Sequence, residues 1–201
     1  MSTLQKNELD VNYKLYDRYH PYLYSLNKVN WFIFGSLTWK FESRRGLSEK
    51  AQWLRRRDFS GLLTSFCNMY RLRGRHLAYY RATEFGNAAQ PHFHFLIAKK
   101  NLEHLSAGDC SQTLKQFWEQ ILRPYDCNSL GIGSANVVAY NEAFQHPAVK
   151  YCLKREFDYK GDEWERYDFM SEALRKLIIK ENGEPIEVKA CMIDDREVRR
   201  G

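Results

Sequence analysis

Paired cysteines are missing from this chain. Its five cysteines, Cys67, Cys110, Cys127, Cys152 and Cys191, are odd in number and none stands in a C-x-x-C pair. That argues against a disulfide framework and a zinc knuckle, and we read all five as reduced thiols. Long apolar runs are missing too: none approaches the roughly 20 residues that a membrane-spanning helix needs. The opening MSTLQKNELD is polar and lacks the apolar centre of a signal peptide. These absences lead us to expect a soluble, intracellular, cytoplasmic protein. No repeat or low-complexity tract stands out, and no G-x-x-x-x-G-K-[ST] loop offers to cradle nucleotide phosphates.

What is present leans basic and aromatic. The formal charge is +6 over 201 residues, and the basic residues cluster: Arg44 and Arg45; Arg55, Arg56 and Arg57; Arg71, Arg73 and Arg75; Lys99 and Lys100. Clustering of this kind suits a polyanion as well as a solvated surface. Thirteen tyrosines, twelve phenylalanines and five tryptophans exceed the needs of a small core, so some rings are available to stack on bases of a single strand. The length allows one substantial core, and one domain is expected over residues 1–180, with 1–30 as an N-terminal arm and 181–201 as a tail or linker.

Along the chain, WFIFGSLTW (Trp31 to Trp39) is rich in β-favouring residues and predicts a central strand. Ser48 and Glu49 open a helical stretch in which Leu62, Leu63, Phe66, Met69 and Tyr70 share one stripe, ended by Gly74. HLAYYRATE (His76 to Glu84) and PHFHFLIA (Pro91 to Ala98) predict two strands joined by a short polar link. Residues 111–122 predict an amphipathic helix with Leu114, Phe117, Trp118 and Ile121 inward. SANVVAY predicts a further strand, His146 and Pro147 a helix start, and 167–180 a last helix. The order implies an α+β fold, a central antiparallel sheet with helices on one face, of ferredoxin-like kind.

The stretch PHFHFLIA carries the first chemical signal. Period-2 alternation puts Phe93 and Phe95 on one face of a strand and His92 and His94 on the other. In a hairpin closing around Ala88, Glu84 lies opposite His92 on the same side. Two imidazoles and a carboxylate leave coordination positions open, where a cation can polarise a phosphate oxygen. Completion by phosphate and water favours Mg²⁺ or Mn²⁺, while imidazole also accepts Zn²⁺. His20, His76, His104 and His146 lack comparable partners and read as structural or surface residues.

A second signal lies in PAVKYCLKRE. Helical spacing sets Lys150, Tyr151 and Lys154 along one side and Val149, Cys152 and Leu153 on the other. A phenol of pKa near 10 is ionised only to about one part in a thousand at pH 7, a deficit of about 4 kcal/mol for a nucleophile. A nearby ammonium such as Lys154 lowers that deficit electrostatically.

Taken in order, FGSLTW (Phe34 to Trp39), PHFHFLI and YCLK resemble the three motifs of the HUH endonucleases, and within them the single-tyrosine replication initiators (Rep proteins) of plasmids, phages and small single-stranded DNA viruses. The resemblance covers residues 31–154. It implies that His92, His94 and Glu84 ligate Mn²⁺ or Mg²⁺, that Tyr151 is the nucleophile and that Lys154 assists it. It implies nicking of single-stranded origin DNA, with or without a hairpin, through a 5′-phosphotyrosine link, and a free 3′-hydroxyl that primes rolling-circle synthesis. Arg44, Arg45, Arg55, Arg56, Arg57 and Lys150 are then candidate DNA contacts. Phe34 to Trp39 takes a structural or DNA-contacting role with no catalytic residue. Unwinding is expected of a separate helicase or of a further C-terminal region, and a eukaryotic viral source implies a nuclear location. A tyrosine transposase or mobilisation relaxase of the same family shares the chemistry. A non-enzymatic RNA-binding sheet shares the layer order but leaves Glu84 and Tyr151 without a role.

Overall fold

The computed structural model describes residues 25–26, 28–46, 48–85, 91–141 and 169–182. The helix expected from His146, with Lys150, Tyr151, Cys152 and Lys154 on it, lies outside the described residues, as do most of the N-terminal arm and the tail.

Eight strands and α-helices follow one another among the described residues. Strand β1 spans Trp31–Thr38, helix α1 Glu49–Met69, β2 Tyr79–Phe85 and β3 Pro91–Ala98. Helix α2, Ala107–Gln116, runs directly into a π turn over Phe117–Ile121, and β4 (Ala135–Ala139), β5 (Phe169–Met170) and α3 (Glu172–Asn182) complete the set. Among the described residues the sheet has five strands in the order β4-β1-β3-β2-β5, every pairing antiparallel. The α+β class, an antiparallel sheet flanked by helices, is therefore the architecture of the chain. Among the described residues no helix is long and apolar enough to cross a membrane.

Local chemistry explains the boundaries. Ser48 caps α1, its side chain accepting from the Ala51 amide, and Ser106 caps α2 by accepting from Asp109. Each satisfies an amide that the first helical turn leaves without a partner. The Ser106 cap starts α2 four residues before the expected Ser111. In β1, Gly35 pairs with Phe95, and a Cβ at Gly35 would fall 2.3 Å from the Phe95 ring. The absence of a Cβ at Gly35 is what lets the ring approach β1 this closely.

The sheet carries apolar residues on both faces. On one face, Ile33, Leu37, Phe93, Phe95 and Ile97 pack with Phe59, Leu62, Leu63 and Phe66 of α1 and with Leu114 and Trp118. On the other, Trp31, Tyr80, Ala82, Leu96 and Ala98 pack with Leu174, Leu177 and Ile178 of α3. The expectation of helices on one face alone is thus corrected: α3 covers the second face, because Tyr80, Leu96 and Ala98 continue the histidine side of their strands as apolar residues. Leu26 and Val29 are buried in this second cluster, so the end of the expected arm belongs to the core.

Two residues expected inside lie outside. Met69 is 58% exposed at the last turn of α1 and Ile121 is 51% exposed. Ile121 is turned out by the π turn, in which Leu122 N–H donates to Phe117 O at 2.9 Å. The wider turn shifts later side chains away from the stripe that a 3.6-residue period predicts. The short strand β5, pairing Met170 with Tyr80 and Phe169 with Arg81, was not expected, since two residues are too few for an alternation.

Candidate metal centre

The β2–β3 hairpin places the candidate ligands. Glu84 pairs with His92 and Ala82 with His94, the register expected of a link centred on Ala88. Paired residues of antiparallel strands point the same way, so Glu84, His92 and His94 share one side of the sheet. The methyl of Ala82 leaves room beside His94, and the Glu84 carboxylate reaches both rings. His92 Nε2 lies 3.0 Å and His94 Nε2 2.8 Å from the same oxygen, Glu84 Oε2. The two imidazoles stand edge to face, centroids 4.8 Å apart.

Depth is graded across the three. The side chain of His94 is 3% exposed, Glu84 14% and His92 23%. His94 therefore forms the floor and His92 the rim. Strand β1 fixes the floor: Ser36, paired with His94, places its Oγ 2.7 Å from His94 Nδ1, and the Phe34 ring lies nearly parallel to the imidazole, 9° apart at 6.2 Å. Thr38 pairs with His92, and Asn136 of β4 pairs with Ser36, so exposed Thr38 and Asn136 extend the same polar side of the sheet.

Electrostatics follow from this packing. Burial pushes the Glu84 carboxyl up, but the hydrogen bond from His94, the fields of both imidazoles and the bond from His92 outweigh it, and its pKa falls below the ordinary value. Burial pushes His94 down; the bond with Glu84 opposes this, the nearby His92 adds to it, and the net is a lowered imidazole pKa. An ionised carboxylate beside a neutral imidazole is the protonation state that a cation site requires. The three ligand atoms lie within 4.8 Å of one another, and two nitrogens with one carboxylate oxygen suit Mn²⁺, Mg²⁺ or Zn²⁺ with further positions left for water or phosphate.

The structure separates the arginines proposed as DNA contacts. Arg44 is buried: its Nε donates to Asp58 Oδ2 at 2.8 Å and its Nη2 to Asp58 Oδ1 at 3.0 Å, while Nη1 pairs with Asp126. Burial disfavours its charge, but the bonds to Asp58 and Asp126 more than offset that and hold its pKa above the ordinary value. Trp39 Nε1–H adds a third bond to Asp58 at 3.0 Å. Arg55 is buried as well and donates to the carbonyls of Arg44 and Gly46. Both are corrected from DNA contacts to internal braces: on α1 the stripe Ala51, Leu54, Arg55, Asp58, Phe59 and Leu62 faces inward, carrying Arg55 with it and presenting Asp58 to Arg44, which precedes the helix. That spacing carried the signal; the run of three arginines concealed it.

Arg45 remains at the surface in a 2.6 Å pair with Glu42. Arg57 lies 3.6 Å over the Tyr125 ring and 5.1 Å from that of Trp53, a cation and two rings on the outer side of α1, and Arg56 is half-buried. Of the other histidines within the described residues, His76 and His104 are exposed, and Cys67, Cys110 and Cys127 are free thiols.

Ser36 is a side chain of the candidate site that sequence reasoning missed. Its parity on β1, two residues from Phe34 and Thr38, was the available signal for placing a hydroxyl on the histidine side. Tyr151, Lys154 and Lys150 lie outside the described residues. No family model matches the chain, and neither a curated protein nor a solved structure matches it significantly.

Proposed function

We propose that this protein is a metal-dependent single-stranded DNA endonuclease and strand transferase of the HUH kind, a Rep-like initiator of rolling-circle replication. The observation that carries the reading is the convergence of His92 Nε2, His94 Nε2 and Glu84 Oε2 on one side of an antiparallel sheet. A divalent cation held there supplies charge neutralisation at phosphoryl oxygens. Ser36, Thr38 and Asn136 add hydroxyl and amide groups beside it, suited to orienting a phosphodiester.

In this reading Tyr151 attacks the phosphorus. Its phenol gives up a proton, the Tyr151 O–P bond forms, the P–O3′ bond breaks, and the departing 3′ oxygen takes up a proton. Lys154 favours the phenolate. The downstream fragment stays attached through its 5′-phosphate, and attack by a 3′-hydroxyl reverses the step. A transposase or relaxase performs the same chemistry on other DNA. Nicking at a replication origin is favoured because the Tyr-x-x-Lys pattern resembles the single-tyrosine initiators.

The test is a denaturing gel of the protein incubated with Mn²⁺ and a panel of single-stranded oligonucleotides, with mass mapping of any linked peptide. The reading requires a covalent adduct at Tyr151 that Tyr151→Phe cannot form. An adduct formed at undiminished yield by Tyr151→Phe, or cleavage unaffected by chelator, contradicts it.

A further inference from the structure

His94 is engaged at both ring nitrogens: Nδ1 lies 2.7 Å from Ser36 Oγ and Nε2 2.8 Å from Glu84 Oε2. A neutral imidazole has one N–H and one lone pair, so the two contacts have opposite polarity. An ionised carboxylate can only accept. In the arrangement seen, therefore, Nε2–H donates to Glu84 and Nδ1 accepts from the Ser36 hydroxyl.

A cation ligated by Nε2 demands the reverse. Nε2 must present its lone pair, the proton must reside on Nδ1, and the atom facing Nδ1 must accept. With its side chain 3% exposed, His94 has little access to water for that role, and a buried N–H without an acceptor is costly. Serine meets both requirements with its oxygen in place, because rotation about Cβ–Oγ turns the hydroxyl from donor to acceptor.

We propose that Ser36 is the positioning residue of this cation site: its hydroxyl reverses polarity so that His94 passes from the Nε2–H to the Nδ1–H tautomer and offers Nε2 to a divalent ion. The ring loses one proton at Nε2 and gains one at Nδ1 by exchange with solvent, and its charge is unchanged. This rests on the metal reading of Glu84, His92 and His94, and gives the strand carrying FGSLTW a chemical part in the site.

The test combines ring-nitrogen NMR with cation binding. In ¹⁵N-labelled wild-type protein under chelator, long-range ¹H–¹⁵N correlations should show His94 as the Nε2–H tautomer, and saturation with diamagnetic Zn²⁺ should convert it to Nδ1–H. Ser36→Ala should lower Mn²⁺ affinity by roughly 10- to 100-fold, as loss of an outer partner of a ligating histidine does, and Ser36→Thr, which keeps the hydroxyl, should restore most of it. A His94 tautomer that does not change on Zn²⁺ saturation overturns the proposal, whether or not Ser36→Ala folds. If Ser36→Ala binds Mn²⁺ like wild type while His94→Ala does not, the cation site stands and the part given to Ser36 falls. If wild type binds neither ion, both fall together.

Discussion

Glu84 and His92 face one another across the β2–β3 hairpin as directly paired residues, and Glu84 Oε2 also lies 2.8 Å from His94 Nε2, two residues further along β3 on the same side of the sheet. One carboxylate oxygen thus collects both imidazoles, and the site is stiff because its three members sit on paired strands rather than on a loop.

Cation binding should be measurable as stability. A ligand at about 100 times its Kd adds about 2.7 kcal/mol to a protein that binds it only when folded. Mn²⁺ is therefore expected to raise the Tm of wild type, and the rise should vanish in His94→Ala and shrink strongly in Glu84→Gln. Calorimetry with and without Mn²⁺ checks this; an unchanged rise in His94→Ala would place the cation elsewhere.

Acid should destabilise the metal-free protein in two stages. The lowered pKa values of His94 and Glu84 mean that the unfolded chain binds more protons than the folded one, so stability rises with pH through each window. The His94 contribution is complete above the ordinary imidazole value of 6.5 and is lost as pH falls through the lowered value in the fold. That of Glu84 is complete above 4.5 and is lost further into acid. Thermal melts under chelator from pH 8 downward should therefore decline below about 6.5 in wild type and decline less over that first window in His94→Gln. Parallel declines in the two proteins would contradict the placement of His94.

Asp58, on the buried side of α1, accepts hydrogen bonds from Arg44 and Trp39. Removing it leaves the Arg44 guanidinium buried with two of its bonds unmade, and Asp58→Ala should cost about 3–5 kcal/mol. Replacing Arg44 and Asp58 together by Met and Leu should cost less than Asp58→Ala alone. Urea denaturation measures both, and a single-variant loss below about 1 kcal/mol would show that the pair is more hydrated than its burial implies.

The arginines should divide by role. Arg56→Gln and Arg57→Gln are expected to weaken single-stranded DNA binding and to reduce the salt slope by about one ion each. Arg44→Gln and Arg55→Gln should instead lower stability. Fluorescence anisotropy across a salt series separates the two groups, and a slope indifferent to Arg56 and Arg57 would contradict a DNA-contacting role for these two residues.

Much of this was legible in the sequence, for identifiable reasons. The alternation PHFHFLIA fixed the faces of β3, and the shortness of the link to HLAYYRATE set Glu84 opposite His92. The caps Ser48 and Ser106 act through side-chain oxygens, but Ser106 was hidden because the apolar period of α2 becomes clear only at Leu114. The burial of Arg44 and Arg55 was obscured because charged runs usually face water, and here two aspartates distant in sequence, Asp58 and Asp126, draw Arg44 inside. The exposure of Ile121 depends on a π turn that no period announces. Ser36 escaped notice because its importance comes from a partner 58 residues away, brought beside it only by strand pairing.

The most direct measurement is an anomalous difference map from crystals of the protein soaked in Mn²⁺. The account predicts a peak within about 2.0–2.2 Å of His92 Nε2, His94 Nε2 and Glu84 Oε2 together. A map with no peak there, or with the ion bound at a different set of side chains, would contradict it.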